Sequence, residues 1–135
     1  MKRLEIPEAV SLKIDIIDRL LAGNISLVAE AAFRYPLWAK GLGPLLSRAE
    51  MRVVQCRVNL DTLRERCIDR RALDPNRGFH PDGAFLAELE RGQVVLGDWD
   101  MDALGSPCLT IDTSEGYRPR MEDIADFARW RDGVP

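Results

Sequence analysis

The sequence predicts an α/β fold with a mainly parallel sheet flanked by helices. Three observations predict it: helical and strand-like runs alternate along the chain, the strand-like runs are short and nearly all apolar, and turn residues mark the changes of period. Residues 8–22 place Val10, Ile14, Ile17 and Leu21 at i, i+4, i+7 and i+11, with Lys13, Asp15, Asp18 and Arg19 mostly off that stripe, which predicts an amphipathic helix. Gly23 fits the left-handed position that ends it. Residues 26–32 form an almost continuous apolar run, expected of a strand covered on both faces, with Glu30 its one ionisable residue. Pro36 suits the first turn of a second helix, whose Leu37, Trp38, Leu42, Leu45 and Leu46 give an apolar face up to about Ala49. Gly41, Gly43 and Pro44 make that helix poor or broken.

Residues 51–58 read as the second strand, and Asn59 stands where the next helix needs its cap. Leu60, Leu63 and Cys67 supply that helix's buried stripe, until the turn residues 74–78 end it. A further helix is expected around Phe85, Leu86 and Leu89, closing at Gly92, and residues 93–107 look irregular apart from a short extended stretch at 94–96. Residues 108–112 form the third strand, and Pro119 starts a final helix with Met121, Ile124, Ala125 and Ala128 along one face. With no repeat, low-complexity tract or linker, residues 1–135 read as a single domain.

Composition limits the partners. The net charge is -3, with 46% hydrophobic and 30% charged residues. A general polyanion binder is basic overall, so nucleic acid is excluded as an expected partner. No apolar run reaches the ~18 residues that span a bilayer, and residues 1–7 have no signal-peptide pattern, so no membrane partner and a cytoplasmic location are expected. Cys56, Cys67 and Cys108 lie in apolar stretches and read as buried, reduced thiols. With His80 the only histidine, the chain has no zinc-ligand spacing, and no metal ligand is assigned.

Four places could carry chemistry. Glu30 would end a parallel strand at the crevice where open α/β sheets bind ligands; the plainer reading pairs it with Arg34. Arg66 and Arg70 are four apart on one helical face and Arg77 follows in the turn, an arrangement suited to phosphate oxygens, or else to pairing with Asp61, Glu65, Asp69 and Asp74. Arg64 reads as a surface residue of that kind. His80 contacts substrate or ties the turn down through Asp82. Asp112, Thr113 and Ser114 close the third strand, facing a nucleotide or simply starting a turn. Trp38, Trp99 and Trp130 read as packing aromatics.

Taken together, the strand at 53–58, the arginine-bearing segment 63–71, Arg77-Gly78-Phe79-His80 with Leu86-Ala87-Glu88-Leu89-Glu90, and the closing strand Leu109 to Ser114 resemble the C-terminal part of small P-loop kinases, from about Ile16 to Trp130. These are ATP-dependent kinases labelled AAA-family ATPases, similar also to gluconate-kinase-like and chloramphenicol-phosphotransferase-like enzymes. The resemblance implies an incomplete P-loop NTPase-like sheet with an arginine-bearing lid. It implies ATP and Mg2+ as cofactors of the complete form, which transfers phosphate to the hydroxyl of an unidentified small molecule. It makes Glu30, Arg70 and Arg77 catalytic and Arg66, Thr113 and Ser114 nucleotide-binding. The family's opening strand and its G-x-x-x-x-G-K-[ST] loop have no counterpart in this sequence, so the chain as it stands is expected to be inactive. Three explanations are open: a start placed downstream of the true one, a remnant whose flanking strands close up, or a strand supplied by a partner or a second copy. The alternative to a kinase is a non-catalytic interaction or regulatory module derived from one.

Overall fold

In a computed structural model, which describes residues 7–76 and 82–129, the protein is mixed α/β. The described residues form helices α1 (Glu8–Ala22), α2 (Tyr35–Leu42), α3 (Leu60–Leu73), α4 (Asp82–Glu90) and α5 (Met121–Ala128), and strands β1 (Val53–Arg57) and β2 (Cys108–Asp112). The chain divides into two compact units, Met1–Gln55 with Leu96–Leu109 and Cys56–Val95 with Thr110–Pro135. The strands pair in parallel, and each starts in the first unit and finishes in the second. Val53 N–H donates to Pro107 O and Thr113 N–H to Arg57 O, which sets Val53 beside Cys108 and Arg57 beside Asp112.

In the first unit the core is Trp38, Leu42, Leu45 and Met101. The stripe of α1 packs against it through Val10, Ile14, Ile17 and Leu21, the residues that its period singles out. Phe33 meets Trp38 edge to face, with ring centroids 4.6 Å apart. Gly41 is fixed by this packing, because a Cβ there would overlap Ile14 Cδ1. The expected break after it is present: α2 stops at Leu42, and Gly43–Ser47 tightens into a 3-10 turn.

The end of α1 differs from expectation by one residue. Gly23 has φ -82°, and Asn24 takes the left-handed conformation at φ 59°. Ile25 N–H donates to Leu20 O and Asn24 N–H to Leu21 O, the paired bonds of a Schellman ending. Asparagine tolerates this backbone better than most side chains, so the glycine is not required there.

The strand expected at 26–32 is not formed. These residues run as irregular backbone with Val28 98% exposed. An apolar run becomes a strand only where a neighbouring strand takes its N–H and C=O groups. Among the described residues no backbone hydrogen bond reaches residues 26–33. Instead Ala31 and Phe33 pack against the helical core. Residues 94–96 form no strand either; Leu96–Trp99 and Asp102–Leu104 are 3-10 turns.

Sequence gave no sign of the buried polar hub in this unit. Gln55 on β1 is 8% exposed, and its Oε1 accepts the Met101 N–H at 3.0 Å. Its amide donates to Asp100 Oδ1 at 3.5 Å, and that same oxygen accepts the Asp102 N–H at 3.1 Å. One side chain thus anchors a turn 46 residues away and holds Met101 in the core.

In the second unit Cys67 of α3, Leu86 of α4 and Ile111 of β2 are buried. Asn59 caps α3 as its position predicts, accepting the Thr62 N–H at 2.8 Å. None of the three cysteines forms a disulfide, and only Cys67 is buried; Cys56 is exposed and Cys108 half-buried. The alternation of β1 explains Cys56, because its neighbour Gln55 takes the inward position. On α5, Ile124 and Ala125 are half-buried, while Met121 and Ala128 are exposed. No helix among the described residues is long and apolar enough to cross a membrane.

Candidate functional site

The carboxyl end of β1, helix α3 and the loop after β2 lie in one unit and gather most of the residues singled out from sequence. After β2 the chain makes a tight loop, closed by paired backbone bonds between Asp112 and Arg118 at 2.9 and 3.0 Å. Gly116 turns it with φ +86°, a conformation that side-chain-bearing residues rarely adopt. Asp112 Oδ1 accepts the Ser114 N–H at 2.9 Å, and Thr113 donates both its N–H and its hydroxyl to Arg57 O.

Arg66 reaches this loop from α3. Its Nη1 donates to Thr113 Oγ1 at 3.3 Å, and its Nη2 to the carbonyls of Thr113 and Ser114. The planar fork suits such a set of convergent oxygens. Three residues expected to bind nucleotide are therefore together, but bonded to one another. Arg70 folds back on its own helix, donating through Nε to Arg66 O and through Nη2 to Cys67 Sγ, each at 3.3 Å. Arg64 pairs with Glu90, in keeping with a surface role. Arg77, His80 and the turn that carries them lie outside the described residues, as does Trp130.

Glu30 belongs to the first unit, exposed on irregular backbone, so the premise that it ends a strand fails with the strand. Nor does it hold Arg34, which pairs with Asp98 at 3.0 Å and lies over the Trp99 ring at 5.2 Å. That combination outcompetes a neighbour on irregular chain because it joins an ion pair to a cation–π contact.

Two open hollows flank the arginine strut. One, of about 410 Å³, is lined by Arg57, Val58, Asn59, Thr110, Asp112 and Ser114 at the strand ends. The other, of about 400 Å³, runs along α3 between Val58, Leu63, Arg66, Asp69, Arg70 and Leu73. Thr110 and Asn59 were missed as lining residues; the i, i+2 spacing of Thr110 and Asp112 on one strand is the signal that would have found the first. Arg66 gives Nη1 and Nη2 to the loop, and Arg70 gives Nε and Nη2 to its own helix. Among the described residues no group of three His, Cys, Asp or Glu side chains is placed to hold a metal ion.

The Asp112 carboxyl is held below its ordinary range. The Ser114 backbone N–H contributes most, then the Ser114 hydroxyl, with the Arg118 guanidinium adding a smaller pull. A depressed folded-state value means that ionised Asp112 favours the folded loop above the unfolded carboxylate range, and that this contribution is lost as pH falls through the folded value. Asp112→Asn is expected to flatten the acid limb of the loop's stability. Amide exchange of Ser114 measured from neutral to acidic pH checks this: protection should fall with acid in the wild type and change less in the variant.

Compared with family models, curated proteins and solved structures, the chain matches none.

Proposed function

We propose that this chain is a non-catalytic interaction module with P-loop-kinase-like ancestry. The observation that carries this reading is the use of Arg66: its guanidinium braces the 113–114 loop, so the residue expected to meet a nucleotide is a structural strut. Arg70, turned back onto Cys67, supports the same reading, as does an exposed Glu30 on irregular backbone. A module that works through contacts needs a stable strand-end loop and has no use for free arginines. Its partner is a strand-supplying protein or a second copy of the chain, given the apolar run 26–32 that no described strand pairs.

Magnesium-ATP titrated into the purified chain to millimolar concentration is the test, read by calorimetry. No saturable heat is expected. Saturable binding would overturn the reading.

A second reading draws on the strand-end hollow lined by Asp112, Thr110, Ser114 and Asn59, which lies where α/β sheets bind ligands. On it, the chain contributes to ATP-dependent phosphoryl transfer to a small-molecule hydroxyl, with Arg70 and Arg77 catalytic. Charge reversal at Arg70 and Arg77 separates the two readings. Loss of phosphotransfer with unchanged folding in a longer, active form supports the kinase, and indifference supports the module.

A further inference from the structure

The hollow at the carboxyl ends of β1 and β2 lies within the second unit, and its volume of about 410 Å³ falls among small-molecule pockets, which run from roughly 300 to 1,000 Å³. Arg57 and Asp112 sit side by side at the strand ends, Thr110 shares their face two residues earlier, and Asn59 enters from the start of α3. Asp112 is an acceptor here. Its Oδ1 takes the Ser114 N–H at 2.9 Å and the Ser114 hydroxyl helps to keep it ionised. A carboxylate has about four acceptor sites, so capacity remains for the donors of a ligand. Asn59 is the complementary donor. Its Oδ1 is committed to the Thr62 N–H at 2.8 Å, and among the described residues nothing takes its side-chain N–H groups. Val58 adds a half-buried apolar side chain to the same wall.

We infer that this hollow binds a neutral polyhydroxyl ligand, a sugar or sugar alcohol, which goes beyond both readings above because it needs neither a partner protein nor a nucleotide. Charge selects the class. The lining carries one charge of each sign, Arg57 and Asp112, so a net charge of either sign on the ligand meets one like charge. The N-terminus of α3 does not tip this balance toward an anion, because Asn59 takes its Thr62 N–H and Asp61 stands in its first turn. The other polar groups are the Asn59 amide and the hydroxyls of Thr110 and Ser114. Ligand hydroxyls, each both donor and acceptor, pair with such a mixed set: they give to Asp112 and Ser114 and accept from Asn59. Val58 offers the apolar contact that the C–H face of a sugar ring requires. The site also lies where open α/β sheets place their ligands, at the carboxyl ends of parallel strands.

The test is a titration of the full chain with D-ribose, D-glucose and ribitol, followed by the N–H signals in nuclear magnetic resonance. D-glucuronate, protonated glucosamine and L-serine serve as the anionic, cationic and zwitterionic comparisons. At least one neutral polyol should bind in the millimolar range, as a few hydrogen bonds in an open hollow allow, and should move the Thr110, Ser114 and Asn59 signals, the Asn59 side-chain amide included. Asn59→Asp keeps a capping oxygen for Thr62 and removes the amide donors, so it should weaken that polyol about fivefold. Thr110→Val takes only a hydroxyl from an exposed strand position, and keeps the test decisive should the first variant unsettle α3; it too should weaken the polyol. No movement of these signals with any of the three polyols, tighter binding of a charged or zwitterionic probe, or unchanged affinity in both variants would overturn the assignment. Magnesium-ATP is read separately. Polyol binding without nucleotide binding keeps both this site and the module, while magnesium-ATP that displaced the polyol would make the hollow part of a nucleotide site and overturn both.

Discussion

Trp38→Ala should unfold the first unit at a temperature lower by more than about 10 °C, from a loss of about 3–5 kcal/mol. Trp38 is 4% exposed at the centre of the core with Leu42, Leu45 and Met101, and the α1 stripe and Phe33 pack against that cluster. The helices around it are already close, since a Cβ at Gly41 of α2 would meet the Ile14 side chain of α1. The core therefore keeps the cavity, and the cost stays near the upper end of large-to-small substitutions. Thermal unfolding followed by circular dichroism checks this. A loss below about 1 kcal/mol would mean that the first unit does not rest on this cluster.

The second large effect is expected at Gln55, although its contacts are polar. Gln55→Leu keeps the bulk of the side chain but takes the acceptor from the Met101 N–H, a buried donor left unsatisfied at a cost of about 1–3 kcal/mol. Because Met101 is itself in the core, the loss should spread to the 100–104 turn. Gln55→Glu is the informative companion. It keeps an acceptor for Met101 but sets a carboxylate against Asp100, so it too should destabilise, and more so as pH rises above the carboxylate range. Urea midpoints of the two variants across pH separate the lost acceptor from the added charge.

How much of this was legible depends on how local each signal is. The stripe of α1, the Asn59 cap and the strand at 108–112 are written within a turn or two of sequence, and the structure places them there. The apolar run 26–32 carries the same local signal as a strand, yet strand formation depends on a second segment that no run of residues reports. The Gln55 hub and the Arg66 strut are invisible for the same reason, because each joins residues more than 40 positions apart. The spacing of Arg66 and Arg70 does report a shared helical face, but not what that face meets.

Thermal unfolding of the wild type and Arg66→Ala, each with and without millimolar magnesium-ATP, tests most directly whether Arg66 is a strut or a phosphate ligand. Removing the bonds to Thr113 and Ser114 should cost about 1–2 kcal/mol, or roughly 3–6 °C, with nucleotide shifting neither protein. A ligand held at about 100 times its Kd stabilises by about 2.7 kcal/mol, so binding would be plain in the melt. A wild type stabilised by magnesium-ATP, beside an Arg66→Ala variant that melts like the nucleotide-free wild type in either condition, would contradict the account.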